Sequence, residues 1–154
     1  MIYVGVDPGS KSGAYAALND KGERWTWTVP WDDDAFVIAM KAIMTFRERD
    51  GEQIMAVVEK VGAMPKQGIS STWAFAENFG YIQGVLHALN IPFQLVPPRI
   101  WKKEFSLTSD KAKSVEICHM LFPEINLKRT EKSHKDDSNL AEALLMAEYA
   151  RRKM

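Results

Sequence analysis

The sequence predicts an α/β sandwich: a five-stranded mixed sheet, three antiparallel strands plus two parallel ones, flanked by helices. Three observations lead there. The first 29 residues carry three short strand-like segments joined by tight turn signals. An unbroken apolar run, Ile54-Met55-Ala56-Val57-Val58, has the pattern of a strand covered on both faces. Beyond it, strand-like and helix-like segments alternate and finish in helices, giving the order βββαβαβααα. The chain of 154 residues, 46% hydrophobic and 26% charged, has the length and composition of one globular domain spanning residues 1–154.

Ile2 to Asp7 is short, β-branched and closed by Pro8-Gly9, so it reads as a strand. Gly13 to Asn19 follows, and the Asp20-Lys21-Gly22 turn leads into a third strand, Glu23 to Val29. Asp32, Asp33 and Asp34 then place acids at the first turn of an amphipathic helix, which carries Ala35, Val37, Ile38, Ile43 and Phe46 and ends near Asp50-Gly51. Gln53 to Glu59 is the fourth strand. After a loop from Gly62 to Gly68, Ser70 or Ser71 caps a helix that runs to about Leu89. Ile91 to Val96 is the fifth strand, ended by Pro97-Pro98. A short helix around Ile100 to Phe105 and another from about Asp110 to Leu121 come next, then a basic loop from Lys128 to Lys135 and a last helix from about Ser138 to Arg152. A right-handed crossover through the first helix sets the fourth strand beside the first, so strands one, four and five form the parallel centre.

Composition excludes several classes of protein. A single cysteine, Cys118, rules out a disulfide framework and any multi-cysteine metal site, and suits a reducing, cytoplasmic setting. No apolar run approaches the ~18 residues of a membrane helix, and the start Met-Ile-Tyr-Val-Gly-Val-Asp lacks the features of a signal peptide. Net charge is zero, yet residues 1–59 hold 6 basic and 10 acidic side chains (−4), and residues 60–154 hold 14 and 10 (+4). That asymmetry allows a basic face for a polyanion beside an acidic pocket for a cation.

Asp7 and Glu59 end two strands that the topology makes neighbours, at a spacing of ~4.8 Å. Either acid alone reads as a turn cap or a solvated strand end. Together they are like charges that need a cation, and oxygen ligands on a rigid frame select Mg²⁺ or Mn²⁺. A third acid comes from the last helix, where Glu142 interrupts the apolar run Leu140 to Ala147. Asn139 and Ser138, three and four residues earlier, share its face. Asp137 and Asp136 lie more than 100° away and reach it only from an unwound segment; they serve equally well as N-cap and dipole partner of that helix.

These residues carry a resemblance. Gly5-Val6-Asp7-Pro8-Gly9-Ser10 with Gly13, then Val57-Val58-Glu59, then Lys135-Asp136-Asp137 ahead of Ala141-Glu142-Ala143-Leu144-Leu145 resemble, in order along essentially the whole chain, the RuvC-type Holliday junction resolvases of the RNase H-like superfamily, particularly the phage-encoded branch. The resemblance implies an RNase H-like nuclease domain working in the cytoplasm, that of a bacterial host if the chain is phage-encoded. It implies a structure-selective, metal-dependent endonuclease that cuts four-way and other branched DNA junctions. It also implies a homodimer formed through the helix around Trp73 to Leu89, and two Mg²⁺ ions per active site, with Mn²⁺ as a substitute.

The family's four acidic ligands map onto Asp7, Glu59, Glu142 and one residue near Asp136 or Asp137, with Asp7, Glu59, Asp137 and Glu142 as the catalytic set. Family members usually place the paired ligand three or four residues before the final acid, where this chain has Asn139 and Ser138, so the fourth ligand stays open between Asp136, Asp137 and Asn139. Two hard cations ~3.5–4 Å apart would activate a water, hold the scissile phosphate and stabilise the leaving 3′-oxygen. Enterobacterial members carry an aromatic wedge three residues after the strand glutamate. That position is Gly62 here, which leaves Met64 or Pro65 to serve.

Lys66, Arg99, Lys102, Lys103 and Lys111 stand on loops and helix starts that emerge toward these acids, and they are the expected phosphate contacts, supplemented by Lys113, Lys128, Arg129, Lys132 and Lys135. Trp101 and Trp73 are candidates for stacking on bases or ribose, although Trp at helical spacing with Phe75, Phe79 and Ile82 more often belongs to the core or an interface, and Trp73 and Phe79 suit a dimer interface. His119 and the adjacent Cys118 point about 100° apart and share no site, and His134 reads as an exposed loop residue. Two other functions remain open. Asn139 in place of an acid suits a non-catalytic module that binds branched DNA. Asp7-Pro8-Gly9-Ser10-Lys11-Ser12 suits an actin-like ATPase, although such enzymes close two domains on their nucleotide. Nothing in these residues selects DNA over RNA.

Overall fold

The computed structural model describes residues 1–28, 35–62, 66 and 68–154, with Trp27 and Thr28 described by their backbone alone. In chain order the elements are β1 (Ile2–Asp7), β2 (Ala14–Asn19), β3 (Arg24–Thr28), α1 (Ala35–Asp50), β4 (Ile54–Glu59), α2 (Ile69–Ala88), β5 (Phe93–Val96), α3 (Pro98–Glu104), α4 (Lys111–Leu121) and α5 (Ser138–Lys153). The sheet order is β3-β2-β1-β4-β5. β1, β2 and β3 form the antiparallel meander, and β1, β4 and β5 are parallel, as the apolar run in β4 requires. The β1/β4 register runs from Ile2↔Ile54 to Val6↔Val58, so its next step brings Asp7 beside Glu59.

Two apolar layers enclose the sheet. The two-residue alternation of β1 sends Ile2, Val4 and Val6 to one face, where they meet Phe36, Met40 and Ile43 of α1 and Ile82 and Leu86 of α2. Tyr3 faces the other side, with Ala14, Ala16, Leu18 and Val57, against Trp101, Cys118 and the apolar run of α5. Gly5 lies on this second face. A Cβ there would stand 2.0 Å from the Ala143 carbonyl oxygen and 2.5 Å from the Ala147 nitrogen, so the missing side chain is what lets α5 rest on β1.

Element boundaries differ from expectation where backbone chemistry decides. α2 begins at Ile69 with Gly68 at its N-cap position and no side-chain cap; Ser70 and Ser71 lie inside the helix, because the extended Gly68 backbone already supplies the turn into it. Pro98 is the first residue of α3, two positions earlier than expected, its fixed φ suiting the first turn. β5 begins at Phe93 rather than Ile91, since Pro92 has no N–H to give, although its carbonyl still accepts from the Ala56 nitrogen at 2.9 Å. Val29, Asp32, Asp33 and Asp34 lie outside the described residues, as do Met64 and Pro65. No helix among the described residues is long and apolar enough to cross a membrane.

Candidate active site

The strand ends deliver the first two acids. Asp7 closes β1, and its Oδ1 accepts a hydrogen bond from the Gly9 nitrogen at 3.2 Å, while the Gly13 nitrogen donates to the Gly9 carbonyl at 2.9 Å. A Cβ on Gly13 would meet that carbonyl at 2.3 Å, so the turn behind Asp7 requires glycine there. Asn78 of α2 donates to the Pro8 carbonyl at 2.8 Å and ties the turn to the helix. Glu59 closes β4, and its Oε2 accepts from the indole Nε1–H of Trp101 at 2.8 Å. α5 contributes Glu142, buried to 5% exposure, whose Oε1 accepts from Lys102 Nζ at 2.8 Å and from the Ser114 hydroxyl at 3.1 Å.

These three carboxylates act on one another. Burial pushes the Asp7 carboxyl up to about 7, the Glu59 charge adds to the rise and Glu142 contributes further, against the lowering effect of the Gly9 N–H and of Lys111. Burial also raises Glu59; the Trp101 bond opposes that, and the Glu142 charge adds to it. As the side chains stand, no three His, Cys, Asp or Glu among the described residues lie close enough together to hold one metal ion. Lys102 pairs with Glu142 across 2.8 Å.

Asp137 and Asp136 have partners of their own. Asp137 is the N-cap of α5: its Oδ1 accepts from the Asn139 and Leu140 nitrogens at 2.8 and 3.2 Å, and its Oδ2 from Arg129 Nε at 2.5 Å. Asp136 Oδ2 lies 2.7 Å from His119 Nε2. Asn139 lies three residues before Glu142, the position where an acid was expected. Its Oδ1 accepts from Lys111 Nζ at 2.7 Å, and its Nδ2 donates to the Ser12 carbonyl at 2.6 Å. Arg129 reaches the same carbonyl at 3.2 Å. Ser12, Asn139 and Lys111 thus link the turn after β1 to the starts of α4 and α5.

The basic residues divide into two groups. Lys102 and Lys111 are committed to the acidic site, whereas Arg99 and Lys103 are exposed and, with Lys102, Ser106, Thr108 and Ser109, line an open cavity of about 800 Å³. Lys66 is exposed, with a left-handed backbone of φ 69°. Trp101 does not stack on a ligand: it is wholly buried, and its ring belongs to the core beneath α5. Phe79 is half-buried against the α1/α2 core, whereas Trp73 is 73% exposed and Ile69 90%. His134 is exposed, as expected, and Cys118 is buried.

Sequence reasoning missed Trp101 and Ser114 as partners of the acids. Its one available signal was that an indole inside an apolar layer must spend its N–H on some acceptor. Ser10 and Lys11, singled out only within the Asp7 to Ser12 motif, line a second cavity of about 420 Å³ with Ser70, Ser71 and Phe75.

No protein-family model matches this chain, and no curated protein matches it. Among solved structures, RuvC of T. thermophilus in complex with a Holliday junction substrate is similar, with a TM-score of 0.62 and 15% identity over 99% of this chain and 96% of that one. A second structure of Thermus thermophilus RuvC gives 0.58 and 15% over the same shares. The yeast mitochondrial Holliday junction resolvase Ydc2 gives 0.49 and 15%, over 97% of this chain and 77% of that one. The α/β fold is thus the RuvC-type, RNase H-like sandwich expected from the motifs.

Proposed function

We propose that residues 1–154 act as one nuclease domain, a structure-selective endodeoxyribonuclease that cuts four-way and other branched DNA junctions by metal-dependent phosphodiester hydrolysis. The observation that carries this reading is the convergence of Asp7, Glu59 and Glu142 from β1, β4 and α5 at the carboxyl end of the parallel strands. The fold alone hosts other chemistry.

The donor set fits hard divalent cations: three carboxylates and the Asn139 side-chain oxygen, all oxygen ligands, with two of the acids raised by burial and further by their neighbours' charge. We assign two Mg²⁺ or Mn²⁺ ions to them, with Asn139 as the fourth ligand because it shares the helix face of Glu142, three residues on, whereas Asp137 caps α5 and pairs with Arg129 and Asp136 meets His119; a cation there would take the place of Lys111 at the Asn139 oxygen. What bound cations supply there is charge stabilisation at the scissile phosphate and acidification of a water. The protein's own groups do the rest. Asp7 and Glu59 are held on rigid strand ends, Ser114 steadies Glu142, and Arg99, Lys103 and Lys66 track the DNA backbone.

Cutting both strands of a junction asks for two sites related by symmetry, and α2 supports a second copy. Ala76, Gly80, Gly84 and Ala88 are exposed and recur every four residues; Gly80 and Gly84 have open space at the missing Cβ, and Trp73 and Ile69 extend the surface. Small residues at that spacing let two helices approach closely.

The test is cleavage of a synthetic four-way junction in Mg²⁺ or Mn²⁺. Wild type should cut, and Asp7→Asn, Glu59→Gln and Glu142→Gln should bind the junction without cutting it. A folded wild-type protein that cuts in neither metal would sink the reading. A non-catalytic junction-binding module is the second reading, favoured by Asn139 in place of an acid. Junction binding with no turnover, unchanged by Asp7→Asn, selects it.

A further inference from the structure

We propose that α3 is a two-point bracket for the site: Trp101 is a positioning residue that fixes Glu59 through its indole N–H, and Lys102 holds Glu142 in the place of a cation, to be released when one binds. This inference rests on the metal-dependent reading above.

Two consecutive residues of one short helix reach acids from two different elements, β4 and α5. Trp101 is wholly buried, so its N–H cannot turn to water, and its acceptor is Glu59 Oε2 at 2.8 Å. The two oxygens of a carboxylate are rigidly linked. A bond to Oε2 therefore sets the direction of Oε1 and leaves that oxygen oriented for a ligand, which is how partners behind a metal's own ligands commonly tune a site.

The mounting of Trp101 is stiff. β5 ends at Val96, the strand partner of Glu59, and Pro97 and Pro98 carry the chain directly into α3. The bracket is therefore referenced to the same strand pair that presents the acid.

Lys102 differs in kind. Its ammonium is a point charge on a flexible stem, 2.8 Å from Glu142 Oε1 and 5.2 Å from the centre of the Trp101 ring. Ser114 donates to the same Glu142 oxygen at 3.1 Å, so the carboxylate keeps one partner when the lysine leaves. A divalent cation and Lys102 compete for that oxygen, and the displaced ammonium stays on the wall of the basic cavity with Arg99 and Lys103, where a phosphate can take it up.

The two residues should thus act on metal affinity in opposite directions, which separates a bracket from a general structural role. Calorimetric Mn²⁺ titration of the metal-free full chain is the experiment, with Glu59→Gln as control. Trp101→Phe keeps an aromatic, though smaller, side chain and removes the N–H; it should bind Mn²⁺ about ten-fold more weakly, the lower end of what loss of such a partner costs. Lys102→Gln should bind at least roughly five-fold more tightly, because removing the lysine leaves the charge of a buried carboxylate for the metal to neutralise.

Unchanged affinity in Trp101→Phe, or weaker binding in Lys102→Gln, overturns the bracket while wild-type Mn²⁺ binding keeps the metal reading standing. A wild-type chain that takes no Mn²⁺ overturns both. If Trp101→Phe does not fold, the indole ¹H–¹⁵N signal of Trp101 in the native chain decides: it should exchange slowly and move on saturation with Mg²⁺, and a signal indifferent to Mg²⁺ overturns the proposal.

Discussion

Asp7 shows most directly what burying one acid beside two others does to stability. Its carboxyl is pushed up to about 7 by burial and by the charges of Glu59 and Glu142, well above the value it has in the unfolded chain. Between those two values the folded protein holds a proton that the unfolded chain has released, so this group favours folding at low pH, and the advantage disappears as pH rises through about 7. Metal-free protein should therefore melt lower at pH 8 than at pH 6. Asp7→Asn, which keeps the oxygen that accepts from Gly9, should be more stable than wild type at pH 8 by on the order of 1–2 kcal/mol, once screening of a group that keeps some contact with solvent is allowed for. Melting curves of both proteins at the two pH values in EDTA check this, and parallel curves would show that Asp7 carries no such burden. Glu148 works in the opposite sense. Burial raises its carboxyl, but the bonds from Arg151 and Arg152 outweigh burial and hold it below the usual range, so its contribution exists at neutral pH and is lost on acidification.

α5 is the element on which the site depends, because it brings Glu142 over the strand ends and its seating is set at two points. The first is Gly5. Gly5→Ala would drive a methyl into the backbone at Ala143 and Ala147, and should cost ~1–3 kcal/mol from overpacking, with a larger fractional loss of junction cutting because Glu142 moves with the helix. A thermal melt paired with a cleavage assay reads both; unchanged activity at reduced stability would detach the helix position from the chemistry. The second point is the Asp137 cap. Asp137→Ala should lower stability by ~1 kcal/mol or somewhat more, since the Arg129 pair is lost with the cap, and leave Mn²⁺ affinity within error of wild type. A drop in Mn²⁺ affinity would instead return Asp137 to the ligand set and displace Asn139.

At the scale of the whole molecule, the proposed junction cutting calls for a second copy and a polyanion. Gly84 is exposed on α2, so Gly84→Arg leaves the core untouched and should shift the protein from dimer to monomer in sedimentation, with nicking of single strands replacing paired cuts. A dimer that survives the change would place the interface elsewhere. Arg99 and Lys103 are exposed on the cavity wall. Replacing either with Ala should weaken junction binding and lower the slope of log affinity against log salt by about one. A weaker complex with an unchanged slope would mean that neither side chain neutralises a phosphate.

What the sequence determined by itself were the features that follow from local patterning. Apolar periodicity and turn chemistry placed all ten described elements in order, and the buried run at Ile54 to Val58 forced β4 into the parallel centre, which made Asp7 and Glu59 neighbours. Glu142 was legible because an acid inside an apolar helical run needs a polar reason to be there. The tertiary structure decided which polar groups meet across long stretches of chain. Asp137 and Asn139 are two residues apart, and nothing local says that one would cap α5 and pair with Arg129 while the other bridges Lys111 and Ser12. In one dimension Trp101 stood open between stacking on a base and the core, and Lys102 read as a phosphate contact. Packing turned the first inward to Glu59 and the second to Glu142, because the direction of a side chain on a seven-residue helix is set by what that helix lies against rather than by its own sequence.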